Sequence, residues 1–454
     1  MKKELQRIAE YQNALLPLHE RKTEQAIKDI IDNAEKAYID KTYDFKNYST
    51  LQLRQGDSRR TVKMYSPFSA EELLCVYLKR VLDKKFHITY PNRNTFIRSL
   101  FDTIYGLKDM SDYVICKFDF SDFFNSVSSM FVYQKHIKEA GLERFQSELL
   151  KQFVDSTEYA YAGLNTSNIL CEIIAKSFDS LITQKFKDAG LILYKRYIDD
   201  GVIVFNRYIS KDDCLAIIQA AINEAFYDSN LVGIAPCKVM LNPDKTKYIA
   251  RRNLTVGGAP SAFDFLGYEF VLEAKTAGRS EKTEFQYGIT QKKITKYTKR
   301  INAIVKEYTE APQRNMELLR HQIKAFTHRT VYRINRYKSV IWKSKGFLSN
   351  YCELRYHMDE LTPQTEKFLK DVVRDAFTNS GVALPYFLKG DSKESIYSLY
   401  NNMQVYRTLL FVEMIGIDCC ALKKMCSQIG IDVTSGKGYD GLVRDYLIKV
   451  KVGH

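Results

Sequence analysis

Leu193-Tyr194-Lys195-Arg196-Tyr197-Ile198-Asp199-Asp200-Gly201-Val202-Ile203-Val204-Phe205 is the stretch on which the fold turns. Two short runs rich in β-branched and aromatic residues meet at an Asp-Asp-Gly step, the pattern of a β-hairpin with its carboxylates at the tip. Adjacent acids on a tight turn pack poorly, but they suit a hard divalent cation. Taken alone the tetrapeptide Tyr197-Ile198-Asp199-Asp200 is a weak signal, because turn carboxylates are commonly just solvated.

The neighbouring sequence strengthens it. Residues 113–120 alternate as a strand and run into Asp119-Phe120-Ser121-Asp122-Phe123-Phe124-Asn125-Ser126-Val127. Gly163-Leu164-Asn165-Thr166-Ser167-Asn168 reads as a polar loop capping an apolar helix from Ile169 to about Ala189, just before the hairpin. After the hairpin come a helix over roughly 211–227, a strand at Lys238-Val239-Met240-Leu241, the turn Asn242-Pro243-Asp244-Lys245-Thr246 into another strand, and one more strand at Phe263–Phe270. Strand, helix, hairpin, helix, strand is a ββαβ-like core of ferredoxin type, which would place Asp119 beside Asp199 and Asp200 on neighbouring strand ends. Nucleotidyl transfer needs carboxylates in that arrangement: two Mg²⁺ ions roughly 3.5–4 Å apart, one at a 3′-hydroxyl and one on a triphosphate. Mg²⁺ takes few protein ligands, so two or three aspartates suffice, with phosphate and water completing the shells.

Towards the N-terminus, residues 1–40 have the beat of two surface helices, and residues 41–67 read as irregular, with a basic turn at Gly56–Arg60. Ser69 with Glu72 three residues on is a capping box opening a helix to about Val81. Tyr90-Pro91-Asn92-Arg93-Asn94 is a rigid turn presenting an arginine before a helix through Ile104, and residues 131–155 read as one helix. From about 290 onward the pattern is helical almost throughout. Fifteen Lys/Arg fall within 285–350 against Glu307, Glu310 and Glu317 alone, nearly the whole of the formal net charge of +14. A helical face that is only solvated would account for some of this; a nucleic-acid groove accounts for its concentration, with Lys296, Arg300, Arg329, Arg333 and Arg336 as contacts and Tyr332 and Tyr337 as stacking surfaces.

A chain of 454 residues with 45% hydrophobic and 27% charged content is long enough for two to four globular units with ordinary cores. Nine cysteines in scattered apolar contexts read as buried thiols of a reducing cytoplasm; no paired spacing supports zinc. Met1-Lys2-Lys3-Glu4-Leu5 lacks the apolar region of a signal peptide, and the most apolar segment, Leu409–Leu422, is broken by Glu413 and Asp418. A pI near 9.1 favours a polyanionic partner over a membrane.

Taken together, four segments resemble reverse transcriptases. Asp119–Val127 resembles motif A, Tyr197-Ile198-Asp199-Asp200 motif C, Asn242–Thr246 motif D and Phe265-Leu266-Gly267-Tyr268 motif E, in matching order over about residues 68–275. The resemblance implies metal binding by Asp119, Asp199 and, more weakly, Asp200, with a backbone carbonyl from Phe120. It implies a steric gate at Phe124 against a 2′-hydroxyl, and triphosphate contacts from Lys245 and, from the fingers, Arg93. Ser167 is the nucleotide-binding candidate of the 163–168 loop. That loop departs from the common Pro-Gln-Gly form. Together with the Tyr90-Pro91-Asn92-Arg93 turn and the helical C-terminal extension, it is similar to the bacterial abortive-infection and defence-associated reverse transcriptases.

The expected architecture is therefore α+β, a right-hand polymerase with a ferredoxin-like palm. Residues 1–108 would be N-terminal helices and fingers, 109–285 the palm with inserted finger helices, 286–350 a basic helical thumb, and 351–454 an α-helical C-terminal domain. The resemblance implies a cytoplasmic bacterial enzyme of anti-phage defence, often a homo-oligomer. It would add deoxynucleoside triphosphates (dNTPs) with two Mg²⁺ ions, Mn²⁺ being an alternative. Synthesis would need no conventional template, and the DNA product would be attached to a priming tyrosine, for which Tyr11, Tyr38, Tyr43 and Tyr48 are candidates. The alternatives are a retron-like or intron-derived enzyme copying a dedicated RNA, and a non-catalytic RNA-binding protein on a polymerase scaffold. Three acids in a phosphate-binding groove argue against the last.

Overall fold

Helices α1 (Lys2–Leu15) and α2 (Glu24–Asp40) open the chain as expected, and the Thr23 hydroxyl caps α2 by accepting from the Ala26 amide. The structure, a computed structural model, describes residues 1–16, 20–55, 58–277, 280–336, 339–389, 396–405, 417–434 and 436–452. Where irregular chain is expected, β1 (Ser49–Gln55) and β2 (Ser58–Met64) instead pair as an antiparallel hairpin, and Gly56-Asp57 of the expected basic turn lie outside the described residues. The alternation Leu51, Leu53 opposite Val62 is the β signal, masked in sequence by the surrounding tyrosines.

Helix α3 (Ala70–Lys85) starts at the expected cap: Ser69 Oγ accepts from the Glu72 amide, and the Glu72 carboxylate reaches back to the amide of Phe68. Helix α4 (Arg93–Gly106) begins at Asn92, whose side chain accepts from Asn94 and Thr95. Strand β3 (Val114–Asp119) follows, then α5 (Phe123–Ser126), α6 (Ser129–Val132) and α7 (Arg144–Ser156). The single helix expected over 131–155 is thus broken, with Gly141 in the left-handed region at φ 66° between the pieces. Helix α8 (Asn165–Lys185) starts earlier than expected, so Asn165-Thr166-Ser167 are its first turn rather than a loop.

Strands β4 (Leu191–Tyr197) and β5 (Asp200–Phe205) form the hairpin, followed by α9 (Lys211–Phe226) and β6 (Lys247–Ala250). Residues 238–241 are not a strand; they give one isolated bridge, Leu241 opposite Phe120. The chain continues through β7 (Ser261–Phe265), β8 (Tyr268–Ala277) and β9 (Ser280–Ile289), then α10 (Gln291–Glu310) and α11 (Met316–Thr327). Next are β10 (Thr330–Arg336) and β11 (Ser339–Lys345), then α12 (Phe347–Asn350), α13 (Pro363–Asn379), α14 (Leu399–Val405), α15 (Cys419–Gln428) and α16 (Tyr439–Lys449).

The chain divides into two units, the first comprising residues 1–12, 22–261 and 273–283, the second residues 13–21, 262–272 and 284–454. The first is built on a four-stranded sheet of order β4-β5-β3-β6, every neighbouring pair antiparallel. Contrary to the alternation read from sequence, β3 is buried on both faces along its whole length. Pairing with β5 and β6 covers its two edges, and Phe178 of α8 and Phe226 of α9 pack on one face, against Phe118 and Phe120. Phe118, Phe120, Phe123, Phe178 and Phe226 pack beneath it as one aromatic cluster, with ring centroids 5.1–6.2 Å apart. Gly201 sits opposite Phe118, and a Cβ there would come within 2.2 Å of the ring. Gly201→Ala is expected to destabilise the protein by about 2–3 kcal/mol through overpacking, read as a fall in the denaturant midpoint at unchanged slope.

In the second unit, α10 packs on α13 and α11, and α15 packs on α16. Here the expected helical run of 286–350 is corrected: β10 and β11, residues 330–336 and 339–345, pair antiparallel, so this segment is not all helix. Val331, Tyr332, Ile334, Val340, Ile341 and Trp342 are β-formers, and they outweigh the basic spacing that suggested a helix. Tyr332 is buried in a core with Leu422, Cys426 and Tyr446 rather than presented for stacking. Tyr337 and Lys338 lie outside the described residues.

Candidate active site

Pairing of Asp119 with Asp200 across β3 and β5 is what brings the distant acids together. The hairpin closes Tyr197 on Asp200, leaving Ile198-Asp199 as a two-residue loop. Only Ile198 of the two has positive φ, at 62°, a position that favours glycine and strains a β-branched side chain. The loop is held from both sides. The Phe120 amide donates to the Asp199 carbonyl at 3.1 Å, and Arg196 Nη1 donates to the Ile198 carbonyl at 2.8 Å.

Arg196 is the anchor that sequence reading missed. Its guanidinium is buried and forks between two carboxylates of α8: Nε donates to Asp179 Oδ1 at 2.8 Å, and Nη2 to Glu172 Oε2 at 3.0 Å. Tyr194 Oη donates to the same Asp179 at 2.6 Å. A cavity of about 320 Å³ opens beside this clamp, lined by Tyr90, Pro91, Glu172, Asp179, Arg196 and Ile198 among others.

Two lysines meet the carboxylates. Lys245, from the turn before β6, donates to Asp119 Oδ2 at 2.8 Å. That hydrogen bond raises the Lys245 ammonium above its ordinary range against the effect of partial burial, and the charges of Asp119, Asp200 and Asp199 add to it. Lys117 reaches up from β3 with its Nζ 3.1 Å from Asp200 Oδ1 and 3.3 Å from the Lys245 carbonyl. Burial pushes the Asp200 carboxyl up to about 7; Lys117 opposes the shift, and a hydrogen bond with Asp119 reinforces it. Lys117 was legible as an anomaly, the one charge in the run Val114-Ile115-Cys116-Lys117-Phe118, but its partner lies far along the chain.

The other candidates are placed as follows. Phe120 is buried in the aromatic cluster, and Phe124 is half-buried with its ring edge-on to Phe123. Asp122, at φ 41°, accepts from Asn125 Nδ2 through both oxygens. Arg93 is the first residue of α4 and half-buried. Ser167 is fully buried in the first turn of α8, with no surface open to an incoming nucleotide. Lys296 is exposed on α10, whereas burial holds the Arg300 guanidinium below its usual range, and Arg329 is half-buried. Arg333 and Arg336 belong to β10, a strand rather than a helix. Among the tyrosines, Tyr11, Tyr38, Tyr43 and Tyr48 are all half-buried; Tyr43 donates to Gln152, stacks on Tyr38, and is pushed by burial up to about 12. The Tyr48 hydroxyl accepts from Lys63.

Among the described residues, no group of three or more Asp, Glu, His or Cys side chains is arranged to hold an ion by itself. The donor chemistry nonetheless suits Mg²⁺, which binds through one or two carboxylates and takes the rest of its shell from phosphates and water. None of the helices among the described residues is long and apolar enough to cross a membrane.

No family model matches the sequence, and no curated relative matches it. Among solved structures, apo telomerase from Candida tropicalis, truncated from its C-terminal domain, is 12% identical with a TM-score of 0.34, over 53% of this chain and 58% of that one. Telomerase from Candida albicans in complex with a TWJ fragment of telomeric RNA is 11% identical with a TM-score of 0.35, over 88% of this chain and 58% of that one. The chain spans 58% of the length of each of these structures. Likeness at this level carries no argument about fold or activity.

Proposed function

We propose that this chain is a nucleotidyltransferase of reverse-transcriptase type, adding deoxynucleotides to a 3′-hydroxyl with release of pyrophosphate. The observation that carries the reading is the junction of β3 and β5, where Asp119 faces Asp200, Asp199 occupies the loop, and Lys245 reaches in. In the reaction the 3′-oxygen bonds to the α-phosphorus, the bridging oxygen leaves with pyrophosphate, and the hydroxyl proton passes to solvent. Bound Mg²⁺ would supply Lewis-acid charge for the hydroxyl and the triphosphate. Asp119 and Asp199 would hold it, and Asp200 would stand behind them, tied to Lys117. Lys245, more than half exposed, would turn from Asp119 to the phosphates, and Arg93 would contact them from the fingers. The palm would be the four-stranded sheet, and the basic segment after 290 would carry nucleic acid.

Phe124 would exclude the ribose 2′-hydroxyl. Phe124→Ala is expected to lower the ratio of kcat/KM for dNTPs over ribonucleotides about 100-fold, measured by single-nucleotide incorporation.

The finer reading, an anti-phage defence enzyme with a tyrosine-attached product and no conventional template, is supported by the resemblance of the 163–168 segment and the Tyr90-Pro91-Asn92-Arg93 turn. One experiment separates the possibilities. The purified chain is examined for attached DNA, then supplied with labelled dNTPs and Mg²⁺ or Mn²⁺, with and without an annealed primer on RNA. A nuclease-sensitive mass shift supports priming by the protein. Faithful extension of the annealed primer alone favours an enzyme copying a dedicated RNA. A chain inert with every dNTP, either ion and added nucleic acid overturns the enzyme reading.

A further inference from the structure

We propose that Lys117 is a positioning residue of this site, a buried counter-ion that withholds Asp200 from a divalent cation and fixes the turn that carries Lys245. The proposal rests on the nucleotidyl-transfer reading and deepens it.

The residue sits where a charge is least expected. All six residues of β3 are buried, and Lys117 is only 3% exposed. Its ammonium has two contacts on two different elements: Asp200 Oδ1 on β5 at 3.1 Å, and the Lys245 carbonyl in the turn before β6 at 3.3 Å. Since β3 lies between β5 and β6 in the sheet, one ammonium braces both neighbours. Lys245 then sends its own ammonium to Asp119. The two lysines therefore differ in kind. Lys245 is more than half exposed and can swing, whereas Lys117 is enclosed and cannot leave.

A buried lysine used only for packing would be replaceable by methionine, which has similar length and no desolvation cost. A positioning lysine makes a different prediction. It keeps a fixed positive charge beside the carboxylates and holds Asp200 by charge and hydrogen bond. Removing it both strengthens the negative field and frees Asp200 to reach an ion. At the separations within this cluster, one unit charge alters divalent affinity by about tenfold or more.

The test is a titration of Mn²⁺ into the purified full chain, followed by electron paramagnetic resonance of the free ion. Lys117→Met is expected to bind Mn²⁺ about tenfold more tightly than wild type. Asp200→Asn alone, which removes one negative charge but no direct ligand, is expected to weaken binding about tenfold, and the double variant, in which the two charge changes cancel, to return near wild type. Asp119→Asn, losing a direct ligand, is expected to weaken binding far more. Unchanged or weaker binding in a folded Lys117→Met, or a loss in Asp200→Asn as large as in Asp119→Asn, overturns the proposal. If Lys117→Met fails to fold, the comparison of Asp200→Asn with Asp119→Asn decides on its own. A wild-type chain with no Mn²⁺ binding would instead overturn the nucleotidyl-transfer reading.

Discussion

Asp119→Asn is expected to lower Mg²⁺-dependent deoxynucleotide incorporation about a thousandfold or more, with the fold intact. The side chain is only 3% exposed, and asparagine fills the same volume, so its packing is kept. What changes is charge. Asp119 is the acid on β3, opposite Asp200 and hydrogen-bonded to Lys245, and an amide oxygen there is a weaker donor to a hard cation. Loss of Asp119 as a ligand of the proposed ion would remove several kcal/mol of transition-state stabilisation, at about 1.4 kcal/mol per tenfold in rate. Lys245 is largely exposed and finds water when its partner is gone, so thermal unfolding should move little. The check is initial rate against Mg²⁺ concentration together with a melting curve. Retention of a tenth of wild-type activity would take Asp119 out of the chemistry.

Arg196→Met should have the largest effect on stability, a loss of about 3–5 kcal/mol. Methionine matches the stem of arginine but leaves Glu172 and Asp179 as neighbouring carboxylates on one face of α8 with no cation between them. It also removes the donor to the Ile198 carbonyl, so the Asp199 loop loses one of its two backbone ties. Activity should fall with stability, because the loop carries a proposed metal ligand. Arg196→Lys should recover only part, since an ammonium cannot serve both carboxylates and a carbonyl in the fork geometry of a guanidinium. A melting temperature for Arg196→Met within 1 °C of wild type, a shift of about 1 kcal/mol or less, would show that the clamp is incidental.

Sequence alone carried the acids a long way. Asp119 at a strand end and Asp199-Asp200 at a hairpin tip were legible because both features are local: a short apolar run ending in an acid, and a turn between β-formers. Their meeting across β3 and β5 follows from the sheet order. The Ser69 cap was legible for the same reason, its partners being three residues apart. The residues that hold the acids were not. Lys117 finds Asp200 on β5 and Arg196 finds Glu172 and Asp179 on α8, contacts that exist only once sheet and helix are assembled. The β10–β11 hairpin was missed differently, because closely spaced arginines and lysines imitate a helical face while the β-branched residues between them set the strand. Burial of Ser167 at the start of α8 follows from where the helix begins, and helix boundaries are among the least legible features of a sequence.

Ile198 gives the site one last property. A β-branched residue at φ 62° costs about 1–3 kcal/mol wherever it occurs, and here Arg196 and Phe120 over-determine it from opposite sides. That strain is met once, when the domain folds, and not again at each turnover. Asp199 is thus presented on a rigid backbone, and an ion or a triphosphate meeting it has no loop to order. Replacing Ile198 by glycine would relax the turn and raise its freedom together, so tighter folding and slower chemistry are the expected pair of changes.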